Sequence, residues 1–186
     1  MSDALKITLE DVAAFMRDQI KRSTEDQGHK LTGRLSASTV SKVTRLPDGY
    51  YADVLREAYG EAIENGVDRT KIPFSPGSGA KHSQYIEGLL EFVRRRNLKP
   101  ERGQTQLGIA FAIAHAQKRT GLPTVASRRF SKSGRRTGAV AEAANKNKRY
   151  ITGEIDKGGE QYLQEVAREL IHEATNSPFI EITLEL

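Results

Sequence analysis

Thr39-Val40-Ser41-Lys42-Val43-Thr44-Arg45, followed by Leu46-Pro47-Asp48-Gly49 and Tyr50-Tyr51-Ala52-Asp53-Val54-Leu55, is the stretch on which the fold turns. Its first seven residues are rich in β-branched side chains and partly alternate in polarity. Leu46 to Gly49 is a turn with a mechanism, because proline fixes φ and glycine tolerates positive φ. Tyr50 to Leu55 then reads as the returning strand of a hairpin.

Helices are expected on both sides of it. Upstream, Leu9, Val12, Phe15, Met16 and Ile20 recur at helical spacing, and Thr8 with Asp11 resembles a capping box. This predicts a helix from about Leu9 to Thr24. Leu31 to Ser38 is a turn or short helix, in which Gly33 permits a tight turn between packed leucines. Downstream, Glu57 to Asn65 is a short helix closed by Gly66, and Lys71 to Lys81, with Pro73, Pro76, Gly77 and Gly79, is an irregular loop. Ser83–Arg96 puts Tyr85, Ile86, Leu89, Leu90 and Val93 on one stripe, and Thr105–Arg119 carries Leu107, Ile109, Phe111 and Ile113 with Gly121 as its stop. A last amphipathic helix is expected from about Asp156 to Ala174. Ser177-Pro178 breaks it, and the alternating Phe179 to Leu186 predicts a terminal strand. The fold class is α+β: one domain, 1–186, with a small antiparallel sheet, long helices packed on one face and an extended basic arm at about 122–149.

That arm follows from charge and composition. Between Lys118 and Arg149 stand ten basic residues and one acidic residue, Glu142, while Tyr150 to Leu186 holds two basic and eight acidic. Large apolar residues are sparse from Leu122 to Lys148, so an arm poorly ordered alone is expected. Arg128, Arg129, Lys132, Arg135, Arg136, Lys146, Lys148 and Arg149 are its candidate contact residues, with Phe130 and Tyr150 as stacking groups. Three readings stay open: a solvated loop, contact with an acidic protein surface, and contact with nucleic-acid phosphates.

Other chemistries find little support. With no Cys among 186 residues there is no disulfide frame, thiolate metal site or cysteine nucleophile. His29, His82, His115 and His172 never fall at the i, i+3 or i+4 spacing of a helical metal site, so no metal or cofactor is expected. Gly77-Ser78-Gly79 lacks the remainder of a phosphate loop. Glu57, Glu61 and Glu64 read as a solvated helix face rather than an acid–base pair, and an enzyme is not expected. No run approaches the ~20 apolar residues of a membrane span, and the Met-Ser-Asp-Ala-Leu-Lys start lacks the order of a secretory signal, so a soluble intracellular product, or one assembled inside a cell, is expected.

Four patches carry a family resemblance. Leu31-Thr32-Gly33-Arg34-Leu35-Ser36-Ala37-Ser38 is similar to the Thr-Gly-x-Leu-x-x-Ser segment of the tail-completion and minor-tail proteins of long-tailed bacteriophages. Those proteins continue with a hairpin and a Tyr-Ala-x-x-Ile/Val-Glu-x-Gly stretch, here Tyr59-Gly60-Glu61-Ala62-Ile63-Glu64-Asn65-Gly66, with Gly60 in place of the commoner Ala and Val67 in place of the commoner Thr. Ile109 to Ala114 and Gly121-Leu122-Pro123-Thr124 resemble the end of the family's penultimate helix. Asp68–Glu101 and Val125–Arg149 are longer than the family's spacing.

The resemblance implies a non-enzymatic virion protein of the neck, assembled in the host cytoplasm. It would join head to tail as a homo-oligomeric ring, often a hexamer, between connector or head-closure proteins and the tail tube or tail terminator, with non-specific contact to packaged DNA and no membrane. Leu31, Gly33, Leu35, Tyr59, Ile63, Glu64 and Gly66 are its matched structural residues. The alternative is a nucleic-acid-binding accessory protein that uses 118–149 against phosphates.

Overall fold

The computed structural model describes residues 3–29, 32–47, 49–77, 83–101 and 103–176. Six α-helices and two strands follow in the order α1 (Asp3–Asp26), α2 (Arg34–Ser38), β1 (Val40–Leu46), β2 (Gly49–Leu55), α3 (Gly60–Asn65), α4 (Gln84–Arg95), α5 (Gln106–Thr120) and α6 (Ala139–Asn176). Short 3-10 helices cover Arg69–Lys71 and Val125–Phe130. The fold is α+β and mostly helical.

The hairpin forms as its alternation requires. β1 and β2 pair antiparallel, with Val40 opposite Leu55 and Leu46 opposite Gly49. Ser83 and Thr105 are N-caps, their hydroxyls accepting the backbone N–H of Ile86 and Gly108, and this is why α4 and α5 begin where the sequence predicts. The expected terminal strand Phe179–Leu186 lies outside the described residues, as do Leu31 and His82.

Three expectations are corrected. The helix placed at Leu9 extends back to Asp3, and Thr8 is an interior residue whose hydroxyl donates to the carbonyl of Ala4 at 3.0 Å instead of capping. The extended arm at 122–149 is instead a 3-10 helix, a connecting segment and the first turns of α6, which is continuous over 38 residues rather than starting near Asp156. Alanine, the best helix former, carries those turns without large apolar residues. Gly33 is not crowded between leucines. Its φ is +74° and it precedes α2, but a Cβ there would meet nothing within 4 Å, just as at Gly77.

The chain divides into two compact units. The first comprises residues 1–18, 40–55 and 144–186, the second 19–39 and 56–143. In the first, the buried apolar residues among those described are Val12 and Ala13, with Phe15 stacked on Tyr150 at 4.4 Å and Gly158 closing on Thr8. The second has a fuller core: Ile20, Leu35, Ile72, Ile86, Val93, Ala110 and Ala114 are buried. Within it, Gly66 and Gly121 hold two strand-like segments together through reciprocal hydrogen bonds between Val67 and Leu122, at 2.9 and 2.8 Å.

Candidate functional site

The second unit contains a cavity of about 340 Å³, within the size range of small-ligand sites. Helices α3, α4 and α5 line it with Ile63, Leu89, Phe92 and Ile113, and the segment after α5 closes it with Leu122 and Phe130. Tyr59 and Ile63, expected to anchor the short helix by packing, stand in its wall, Tyr59 half exposed. The charged side chains of the wall are Arg129 and Arg136, beside the polar His29, Gln117 and Ser127, and among the described residues neither Asp nor Glu lines it.

Backbone contacts fix these groups. Arg136 donates from Nη1 to the carbonyl of Gln27 at 2.7 Å, and Arg96 from Nη2 to that of Gly28 at 2.6 Å. Gly28, at φ +77°, lets the Phe130 backbone and the Arg136 side chain approach closer than any Cβ would permit. Phe130 therefore lies beneath two guanidinium groups, Arg96 at 4.8 Å and Arg129 at 4.9 Å from its ring centre, and meets Phe92 edge-on at 5.9 Å. Burial first, and the Arg96 charge next, pull the Arg136 guanidinium below its ordinary value. The Nε atoms of Arg96 and Arg136 are buried with no hydrogen-bond partner among the described residues.

Burial, followed by the charge of Arg136, lowers the pKa of His29 to about 4. Its Nε2 lies 3.0 Å from the carbonyl of Arg136, which can only accept, so the neutral ring carries its proton there. An unfolded histidine protonates near pH 6.5, so on acidification the unfolded chain takes up a proton before the folded one does. The contribution of His29 is complete above about pH 6.5 and disappears as pH falls toward 4. Urea melts should show about 2 kcal/mol lost across that window, and His29→Gln should flatten the loss. An unchanged slope in the variant would contradict a neutral, buried His29.

The candidate basic residues separate. Arg128, Arg129 and Arg135 are exposed, as are Lys146, Lys148 and Arg149 on α6. Lys132 is exposed and paired with Asp26 at 2.6 Å, and Arg136 turns inward. The two expected stacking groups are engaged already, Phe130 with Arg96 and Arg129, Tyr150 with Phe15. Of the residues that the expected phage resemblance singles out, Leu35 is buried. Glu64 caps α6: its carboxylate accepts the N–H groups of Val140 and Ala141 at 2.9 and 3.1 Å and lies 3.7 Å from Arg56. Arg96, Phe92 and Leu89 have a place in this site that the sequence did not suggest. Arg96 shows only as a basic helix end, and the residues of the site are up to 107 positions apart.

Among the described residues, no group of three or more His, Cys, Asp or Glu could hold a metal ion, and no helix is long and apolar enough to cross a membrane. No family model, curated protein or solved structure matches this chain.

Proposed function

We propose that this chain is a structural subunit of a bacteriophage neck, a ring-forming adaptor that joins or completes the tail by protein–protein contacts. The observation that carries the reading is an open apolar stripe on α6. Leu163 and Leu170, two turns apart on one helix face, are 66 % and 58 % exposed. The hairpin of the same unit leaves Val40, Leu46, Tyr51 and Leu55 about half exposed. Among the described residues of this unit, few buried and several exposed apolar side chains suit a unit completed by neighbouring copies. The resemblance of four ordered patches to tail-completion proteins supports this kind of assembly. The basic-then-acidic sequence of α6 suits head-to-tail contact, in which one copy's basic turns meet the acidic turns of the next.

Native mass spectrometry and sedimentation of the purified protein test this. The wild-type chain should form a closed ring, and Leu163→Glu with Leu170→Glu should give a monomer of nearly unchanged melting temperature, because both side chains are exposed. A wild-type chain that stays monomeric at every concentration and also fails to enter phage necks in a complementation assay would overturn the proposal. The DNA-binding alternative would show itself as duplex binding that weakens with salt at a log–log slope near ~0.9 per neutralised phosphate, and that is lost when Arg128, Arg129 and Arg135 become Glu.

A further inference from the structure

The geometry points to the cavity at Phe130 as a binding site for a small organic acid, with a carboxylate head against Arg129 and Arg136 and a compact aromatic or branched body against Phe92, Leu89 and Ile113. Such a site is independent of the assembly role in the phage neck.

Three observations converge on it. The first is room: about 340 Å³ lies within the size range of small-ligand sites. The second is the wall. Aromatic and aliphatic side chains from α3, α4, α5 and the Val125–Phe130 helix form most of it, so the body of the ligand must be apolar. The third is charge. Arg129 and Arg136 face the cavity and Arg96 stands behind Phe130, yet the lining contains no carboxylate, and His29 is neutral at ordinary pH. Arg136 is half-buried and Arg129 exposed, and two guanidinium groups facing one apolar cavity without a carboxylate opposite them favour an anion there. A carboxylate supplies one negative charge and a planar pair of acceptors that matches a guanidinium.

Isothermal titration with 4-phenylbutyrate, 4-phenylbutan-1-ol and acetate tests the proposal on the intact chain. The acid should bind once per chain with a Kd of about 1 mM or tighter. The alcohol, which keeps the body, and acetate, which keeps the charge, should each bind roughly tenfold more weakly, the cost of losing one charge-assisted pair or the apolar contact. Arg129→Gln should weaken the acid about threefold or more with little change in the melting temperature of the free protein, since Arg129 is exposed and Arg96 keeps its own place over the Phe130 ring. Ala126→Phe, at an exposed lining position, should block binding by filling the space while leaving every charge. The inference is overturned by no binding of the acid, by equal binding of acid and alcohol, or by binding that neither substitution alters.

Discussion

Gly121→Ala is expected to destabilise the second unit by about 3–5 kcal/mol. Gly121 sits at φ +77°, ψ −166°, and Gly66 at φ +76°, ψ −173°, a region of backbone space that is essentially glycine's alone. Strain there costs on the order of 1–3 kcal/mol before any contact is considered. A Cβ on Gly121 would stand 2.5 Å from the carbonyl oxygen of Val67, and one on Gly66 would run into that of Leu122. Neither carbonyl can retreat, because each accepts a bridge hydrogen bond from the other segment. Gly77→Ala is the control: φ is +81° but the space is open, so about 1 kcal/mol is expected. Gly66→Ala should resemble Gly121→Ala, and the double variant should lose less than the sum, since both break one bridge. Thermal or urea melts in which Gly121→Ala is no worse than Gly77→Ala would refute the account.

Glu64→Ala should cost about 2–4 kcal/mol. It removes the acceptor for two N–H groups at the start of α6, a loss of about 1–2 kcal/mol for a cap, and it strips the anion from Arg56, whose Nη1 is buried without a partner. Glu64→Gln keeps one acceptor oxygen and should fall between. Arg56→Met in the Glu64→Ala background should recover part of the loss, because it removes the stranded charge. Amide exchange at Val140 and Ala141 should accelerate in Glu64→Ala, and unchanged protection there would show that the carboxylate is no cap.

Local signals explain what could be read from the sequence. The hairpin is carried by alternation and a Pro-x-Gly turn, α4 and α5 by periodic apolar residues behind a Ser and a Thr that do cap them. The start of α6 could not be read that way. Its first turns are Ala, Asn and Lys, with no apolar stripe to detect, and its cap comes from Glu64, 76 positions before Val140. Thr8 and Asp11 imitate a capping box inside a helix, where spacing cannot distinguish the two cases. The cavity gives no local signal either. Arg135 and Arg136 are neighbours of identical type, yet one is exposed and the other donates to Gln27, a difference made only by tertiary packing. Glu64 stands out in the sequence as a motif residue, but that it caps a helix depends on which helix it meets.

The division of the chain into units has a consequence for biosynthesis. The second unit draws on residues 19–39 and 56–143, so all of it has been translated before the last segment of the first unit, 144–186, emerges. Chains lengthen at about 5–20 residues per second, and units fold as their residues become available. The glycine bridge, the Phe130 cavity and the Glu64 cap are therefore in place while residues 1–18 and the hairpin still wait for the rest of α6. The exposed apolar residues Leu163 and Leu170 of α6 therefore emerge after every residue of the second unit.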